Sequence, residues 1–320
     1  MPFQIDPDIA AFFSQLEPMP DELFDPAVDL QTKVDLLREG SRRDSEKLFA
    51  RPFDGTVEEV ELELRWGSAP GRVYRPAREA PGVRGVMVWF FGGGMMLGDL
   101  DKAHHDAAEI AEVAGIPVVT ASYRLAPEHP FPAGVEDAFD AVAFVARNGE
   151  RLGLVTERIA VGGESAGGAM ATAAAIQARE VEDVNIVFQL LAYPKVDFLR
   201  RYPSADEMQA IGIPDEMAAT FDAAYLPDPA LKSHPLATPL EAELTGLPGG
   251  FILTAEGDTI RDEAEEYGRL MRAAGVPMAT VRAIGQLHGF ADHTAVSPAA
   301  RLLMHAVYRE LGAALTEVAP

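Results

Sequence analysis

The sequence predicts an α/β protein built on an eight-stranded, mostly parallel sheet flanked by helices, and three observations carry that expectation. Short apolar runs alternate with helical stretches through most of the 320 residues, which is the texture of crossover units feeding a parallel sheet. An alternating stretch near the start reads as one antiparallel pair with a wet face. The apolar share of 48% and charged share of 24% suit a globular chain whose length does not force a second domain. A single domain over 1–320 is therefore expected, decorated by segments at about 1–50 and 195–247.

Taken in order, residues 1–50 are acidic and mostly helical in pattern, with Val28, Val34, Leu37 and Leu48 as a candidate buried stripe. Over 57–74, Val60, Leu62, Leu64 and Trp66 alternate with Glu61, Glu63 and Arg65, and a glycine-flanked turn at 67–71 leads back. Buried strands are expected at 86–91, 117–122, 159–161, 184–193, 251–255 and 278–284, with helices near 104–114, 135–147, 166–179, 262–274 and 298–315. The stretch 195–247 breaks this rhythm. It is rich in proline and acidic residues, carries one helical piece near 214–225, and reads as an insertion able to cover a site.

Charge and composition remove several function classes. With 27 Lys and Arg against 50 Asp and Glu the net charge is −23, so nucleic acid and anionic membrane surfaces are not expected partners. There is no cysteine, which excludes disulfides, thiolate nucleophiles and Cys-bound zinc. Residues 1–20 lack a basic start and are interrupted by Asp6, Asp8, Gln15 and Glu17, so no signal peptide is expected and the cytoplasm is the default location. The longest apolar stretch, 85–98, is broken by Gly92, Gly93 and Gly94 and is too short to span a bilayer.

Gly163-Glu164-Ser165-Ala166-Gly167 has the Gly-x-Ser-x-Gly spacing of a nucleophile elbow. The pentad alone is weak, but a strand is expected directly before it and an alanine-rich helix directly after it, which is the context the elbow needs. A serine hydroxyl requires a neutral imidazole to take its proton. Of seven histidines, His288 is the best placed, in a loop after the last expected strand, with His293 as its rival. Asp258 follows the strand at 251–255 and supplies the carboxylate that orients the base, completing the chain order Ser, Asp, His. Main-chain amides of Gly93, Gly94 and Ala166 are candidate donors to the oxyanion. Met95, Met96 and Phe91 suggest an apolar substrate pocket. A metal site at His104, His105 and Asp106 lacks a second ligand cluster and is not expected.

These segments together resemble the hormone-sensitive-lipase-like esterases of the α/β-hydrolase fold. The resemblance spans about 86–290 and rests on Phe91-Gly92-Gly93-Gly94, on Leu97-Gly98-Asp99, and on the run from Tyr123 to Ala133. It also includes the Ser165 pentad extended by Gly168, Asp258 before Arg261-Asp262-Glu263, and His288-Gly289-Phe290. What it implies is an eight-stranded sheet, a helical cap from the N-terminal region and the insertion, and hydrolysis of short to medium acyl esters without a cofactor. Two positions depart from the family pattern: Phe91 stands where a histidine gives the loop its name, and Glu164 replaces the commoner aspartate. Phe91 offers only packing to hold the oxyanion loop. A small-molecule receptor on the same fold, or a lyase or amidase using the same pocket, is the alternative reading.

Overall fold

The structure is a computed structural model that describes residues 3–16, 18–48 and 52–316, with backbone alone at 44–48. Among these residues one sheet of eight strands runs in the spatial order β1-β2-β4-β3-β5-β6-β7-β8. β1 (Thr56–Leu64) and β2 (Gly67–Arg75) form the expected antiparallel hairpin, and β2 pairs antiparallel with β4 (Val118–Ala121). From β4 the pairing is parallel through β3 (Gly85–Phe90), β5 (Arg158–Glu164), β6 (Ile186–Ala192), β7 (Gly250–Gly257) and β8 (Met278–Leu287). Every residue of β3 and β4 is buried, because helices cover both faces of the sheet and leave no wet side for a polar residue.

One face carries α3 (Leu100–Ala114) and α9 (Pro298–Ala314), whose alanines, Met304, Val307 and Leu311 pack against Met87, Trp89 and Leu253. The other carries α4 (Ala133–Arg147), α5 (Ala166–Ala178) and α8 (Arg261–Ala273). α5 is apolar all round because it lies deep, between the sheet and α4. α3 starts four residues before its expected start: Asp99 accepts the N–H groups of Asp101 and Lys102 and caps it, and Gly115 ends it in the left-handed conformation at φ 66°.

The N-terminal region holds α1 (Pro7–Phe13) and α2 (Leu30–Leu48). Val34 and Leu37 are buried as expected, Val28 is only half-buried, and the Leu48 side chain lies outside the described residues. Trp66 is not on a buried face. It is 44% exposed, its indole N–H donates to Asp137 Oδ1 at 2.7 Å, and Arg124 stacks over its ring. In the insertion, α6 (Pro203–Glu207) precedes α7 (Asp215–Tyr225), which packs on α2 above the carboxyl edge of the sheet. Asp6 caps α1 with Oδ1, and its Oδ2 accepts from Gln286 and Ser297, which straps the N-terminal segment to the end of β8. No helix among the described residues is long and apolar enough to cross a membrane.

Candidate active site

β5 ends directly before Ser165 and α5 begins directly after it. Ser165 takes φ 52°, ψ −115°, a conformation a residue with a side chain rarely adopts. Small neighbours permit the turn. A Cβ on Gly167 would stand 2.0 Å from the Phe90 carbonyl oxygen, and one on Gly163 would stand 2.4 Å from the carbonyl carbon of Gly167. Both glycines are therefore required by close backbone approach rather than by φ.

The ends of β7 and β8 bring Asp258 and His288 to the same edge. His288 Nε2 lies 2.9 Å from Ser165 Oγ, and Nδ1 lies 2.8 Å from Asp258 Oδ2. An ionised carboxylate can only accept, so Nδ1–H donates to Asp258 and Nε2 is left to accept from the Ser165 hydroxyl. Asp258 is fully buried, and its Oδ1 also accepts the Ile260 N–H at 3.1 Å. Burial pulls the His288 pKa down, but the charge and hydrogen bond of Asp258, followed by the charges of Glu164 and Asp292, outweigh it and leave the imidazole above its ordinary 6.5. The rival His293 is buried and packs against Phe12 and Phe13.

The loop after β3 runs through Gly93 at φ 127° and Gly94 at φ 60°. Among the described residues no acceptor meets either N–H, and Ala166 opens α5, where a helix leaves its first N–H groups without intrahelical partners. All three line the cavity that holds Ser165 and His288. The arrangement offers a nucleophile, a base, and main-chain donors to a developing oxyanion.

The Phe91 side chain holds this loop by packing alone, as expected, with its ring stacked on Tyr123, but polar contacts from other residues fix the loop as well. Glu164 Oε1 accepts the Gly92 N–H at 3.0 Å, the Tyr123 hydroxyl donates to the Phe91 carbonyl at 2.8 Å, and Arg38 donates to the Met96 carbonyl at 3.1 Å. Of the three suggested pocket residues, Met95 lines the cavity. Phe91 and Met96 do not: Phe91 stacks on Tyr123 and Met96 is fully buried in the core. The cavity holds about 410 Å³ and draws its apolar wall from Leu37, Leu97, Phe198, Met217, Phe221 and Ile260.

His104, His105 and Asp106 point to separate partners, Tyr74, Thr294 and Trp89. Asp106 instead converges with Glu164 and Asp292, their ligand atoms within 4.8 Å of one another, and the Lys102 ammonium bridges Glu164 and Asp292. Lys195 forms a second ion pair at the cavity wall with buried Glu263, at 3.0 Å. Sequence reasoning missed both groups. The only local signal was Glu164 itself, the unusual residue before the serine.

A serine held at φ 52° between a parallel strand and a helix, with a buried aspartate and a histidine delivered by the ends of β7 and β8, defines a hydrolase of the α/β class. The chain belongs to the α/β-hydrolase fold family, whose model matches residues 87–292, and to its hormone-sensitive-lipase-like branch. It is 37% identical over 284 residues to esterase LipI of Mycobacterium tuberculosis, covering 86% of this chain and 88% of that one. It is 40% identical over 241 residues to carboxylesterase NlhH of the same organism, covering 72% and 74%. An esterase structure from Pyrobaculum calidifontis superposes with a TM-score of 0.86 at 32% identity, covering 98% of this chain and all of that one.

Proposed function

We propose that the chain is a serine carboxylesterase that hydrolyses small esters of short to medium acyl length through an acyl-Ser165 intermediate. The observation that carries this reading is the unbroken hydrogen-bonded series from Asp258 through His288 to Ser165, opening on a largely apolar cavity of about 410 Å³. The names of the relatives, esterase and carboxylesterase, support the ester as substrate. They do not favour the receptor, lyase or amidase alternatives.

His288 Nε2 takes the Ser165 proton as Oγ attacks the ester carbonyl carbon. Charge then gathers on the carbonyl oxygen, where the amides of Gly93, Gly94 and Ala166 stabilise it. As the tetrahedral intermediate collapses, the C–O bond to the alcohol breaks and the alkoxy oxygen takes the proton from His288. Water, deprotonated by the same imidazole, hydrolyses the acyl-enzyme and returns the proton to Ser165. Asp258 holds the tautomer and stabilises the imidazolium in both halves. Residues of about 1–50 and 195–247 serve as the cap, a role supported by the packing of α2 on α7 and by Leu37, Met217 and Phe221 in the cavity wall.

A panel of p-nitrophenyl esters of increasing acyl length tests the reading. Turnover is expected for the shorter chains and falls as the acyl group outgrows the cavity; turnover of none of them would overturn it.

A further inference from the structure

Glu164 precedes the nucleophile, yet its carboxylate is buried and serves three donors from three parts of the chain. They are the Gly92 N–H of the oxyanion loop at 3.0 Å, the Lys102 ammonium of α3, and the Tyr193 hydroxyl after β6 at 3.2 Å. Two of these partners continue to the loop that carries His288. Lys102 Nζ also lies 3.1 Å from Asp292 Oδ2, and the Tyr193 oxygen accepts the Ala291 N–H at 3.2 Å. The Tyr193 ring lies against the imidazole of His288, with centroids 4.8 Å apart.

We propose that Glu164 is a positioning residue that, through Lys102 and Tyr193, locks the oxyanion loop and the histidine loop in register with the nucleophile. This rests on the roles proposed above for Ser165 and His288. Two features of the backbone are shaped around Glu164. A Cβ on Gly92 would stand 2.8 Å from the Glu164 carbonyl oxygen and 2.9 Å from its Oε1, so only glycine fits beside this residue, and Tyr193 is held at φ 37°, a strained position that the contacts of its hydroxyl and ring help to fix. Reach matters as well: aspartate, shorter by one carbon–carbon bond of about 1.5 Å, could not serve Gly92 and Tyr193 from the same backbone.

The charge of the cluster acts in the same direction. Three carboxylates, Asp106, Glu164 and Asp292, share the Lys102 ammonium. Burial and mutual repulsion push Asp106 well up and Asp292 to about 7. Burial opposes ionisation of Glu164 too, but the charge and hydrogen bond of Lys102 and the Gly92 N–H outweigh it, so Glu164 is the member that stays ionised. His288 is thus faced by Asp258 after β7, Glu164 at the end of β5 and Asp292 on its own loop, with Tyr193 against its ring and Lys102 behind. A fixed negative charge at Glu164 stabilises the imidazolium that forms during turnover.

The test compares Glu164→Gln, Glu164→Asp and Tyr193→Phe with the wild type and Ser165→Ala on one p-nitrophenyl ester, with rates expressed per folded molecule from circular dichroism. Glu164→Gln must turn an amide N–H₂ toward a donor and loses the charge, so kcat should fall about 30-fold with KM within about threefold, and the pKa seen in kcat/KM should move down. Glu164→Asp keeps the charge but not the reach, so it should restore the pH profile without restoring kcat. Tyr193→Phe deletes one hydroxyl and should lower kcat about three- to tenfold with the profile unmoved. Wild-type kcat and profile in folded Glu164→Gln, or losses that only track the unfolded fraction across the set, overturn the proposal. Should Ser165→Ala remain active, it is the nucleophile assignment that falls; an inactive Ser165→Ala beside a fully active Glu164→Gln removes the positioning role alone.

Discussion

Phe91 lies flat against Tyr123, ring centroids 4.6 Å apart and planes at 20°, while the Tyr123 hydroxyl donates to the carbonyl of Phe91 itself at 2.8 Å. One tyrosine therefore holds the start of the oxyanion loop by both its ring and its oxygen. At the place where the family resemblance implied a histidine, an aromatic pair supports the loop. Phe91→His, which keeps a flat ring over Tyr123, is expected to change kcat by no more than about tenfold, around 1.4 kcal/mol. Phe91→Ala empties a buried site and should cost about 3 kcal/mol of stability, read by urea denaturation. A hundredfold loss of kcat in Phe91→His would show that the ring acts on the chemistry itself.

Gly94 is pressed against α7: a Cβ there would stand 2.4 Å from the Phe221 ring. Gly94→Ala must displace Phe221 or shift the loop that carries the candidate oxyanion donors, and kcat/KM should fall by about tenfold or more. Adding Phe221→Ala opens the space and should recover part of the loss, leaving the strain of a side chain at φ 60°. Strictly additive losses in this double-mutant cycle would mean that the ring is not the obstacle.

The pH dependence follows from the sign of the His288 shift. Only the neutral imidazole accepts the Ser165 proton, and although burial disfavours the charged form, the charge and hydrogen bond of Asp258 with the charges of Glu164 and Asp292 favour protonation on balance. kcat/KM should therefore rise with pH through an apparent pKa above 6.5, and activity should be lost as pH falls through it. Asp258→Asn removes the carboxylate that raises the pKa and fixes the tautomer. Its residual activity, lower by on the order of 10³-fold or more, should titrate at lower pH. A wild-type profile centred below 6.5 contradicts this assignment.

What was legible in the sequence is what local pattern encodes. The strands before Ser165 and Asp258 read as apolar runs, and the pentad spacing, the chain order and the loops after strand ends singled out Ser165, Asp258 and His288, which the structure brings together. β5 was expected to span 159–161. It continues to Glu164, since a Cβ on Gly162 would meet the Leu190 carbonyl of β6 at 2.3 Å, so that glycine serves sheet packing rather than a bend. The Glu164 cluster was illegible because its members are joined only in space: Lys102 reaches Glu164 across 62 positions and Asp292 across 190. Phe91 and Met96 were misassigned to the pocket because sequence proximity to the glycine loop does not say which way a side chain turns.

Whether Ser165 is the nucleophile is tested most directly by covalent labelling with a p-nitrophenyl phosphonate, followed by intact-protein and peptide mass spectrometry. One phosphonyl group should be found per chain, on Ser165, forming at the same rate as esterase activity disappears. Ser165→Ala should take up none and turn over esters at least about 10³-fold more slowly. A label on another residue, or full esterase activity in purified Ser165→Ala, would contradict the assignment.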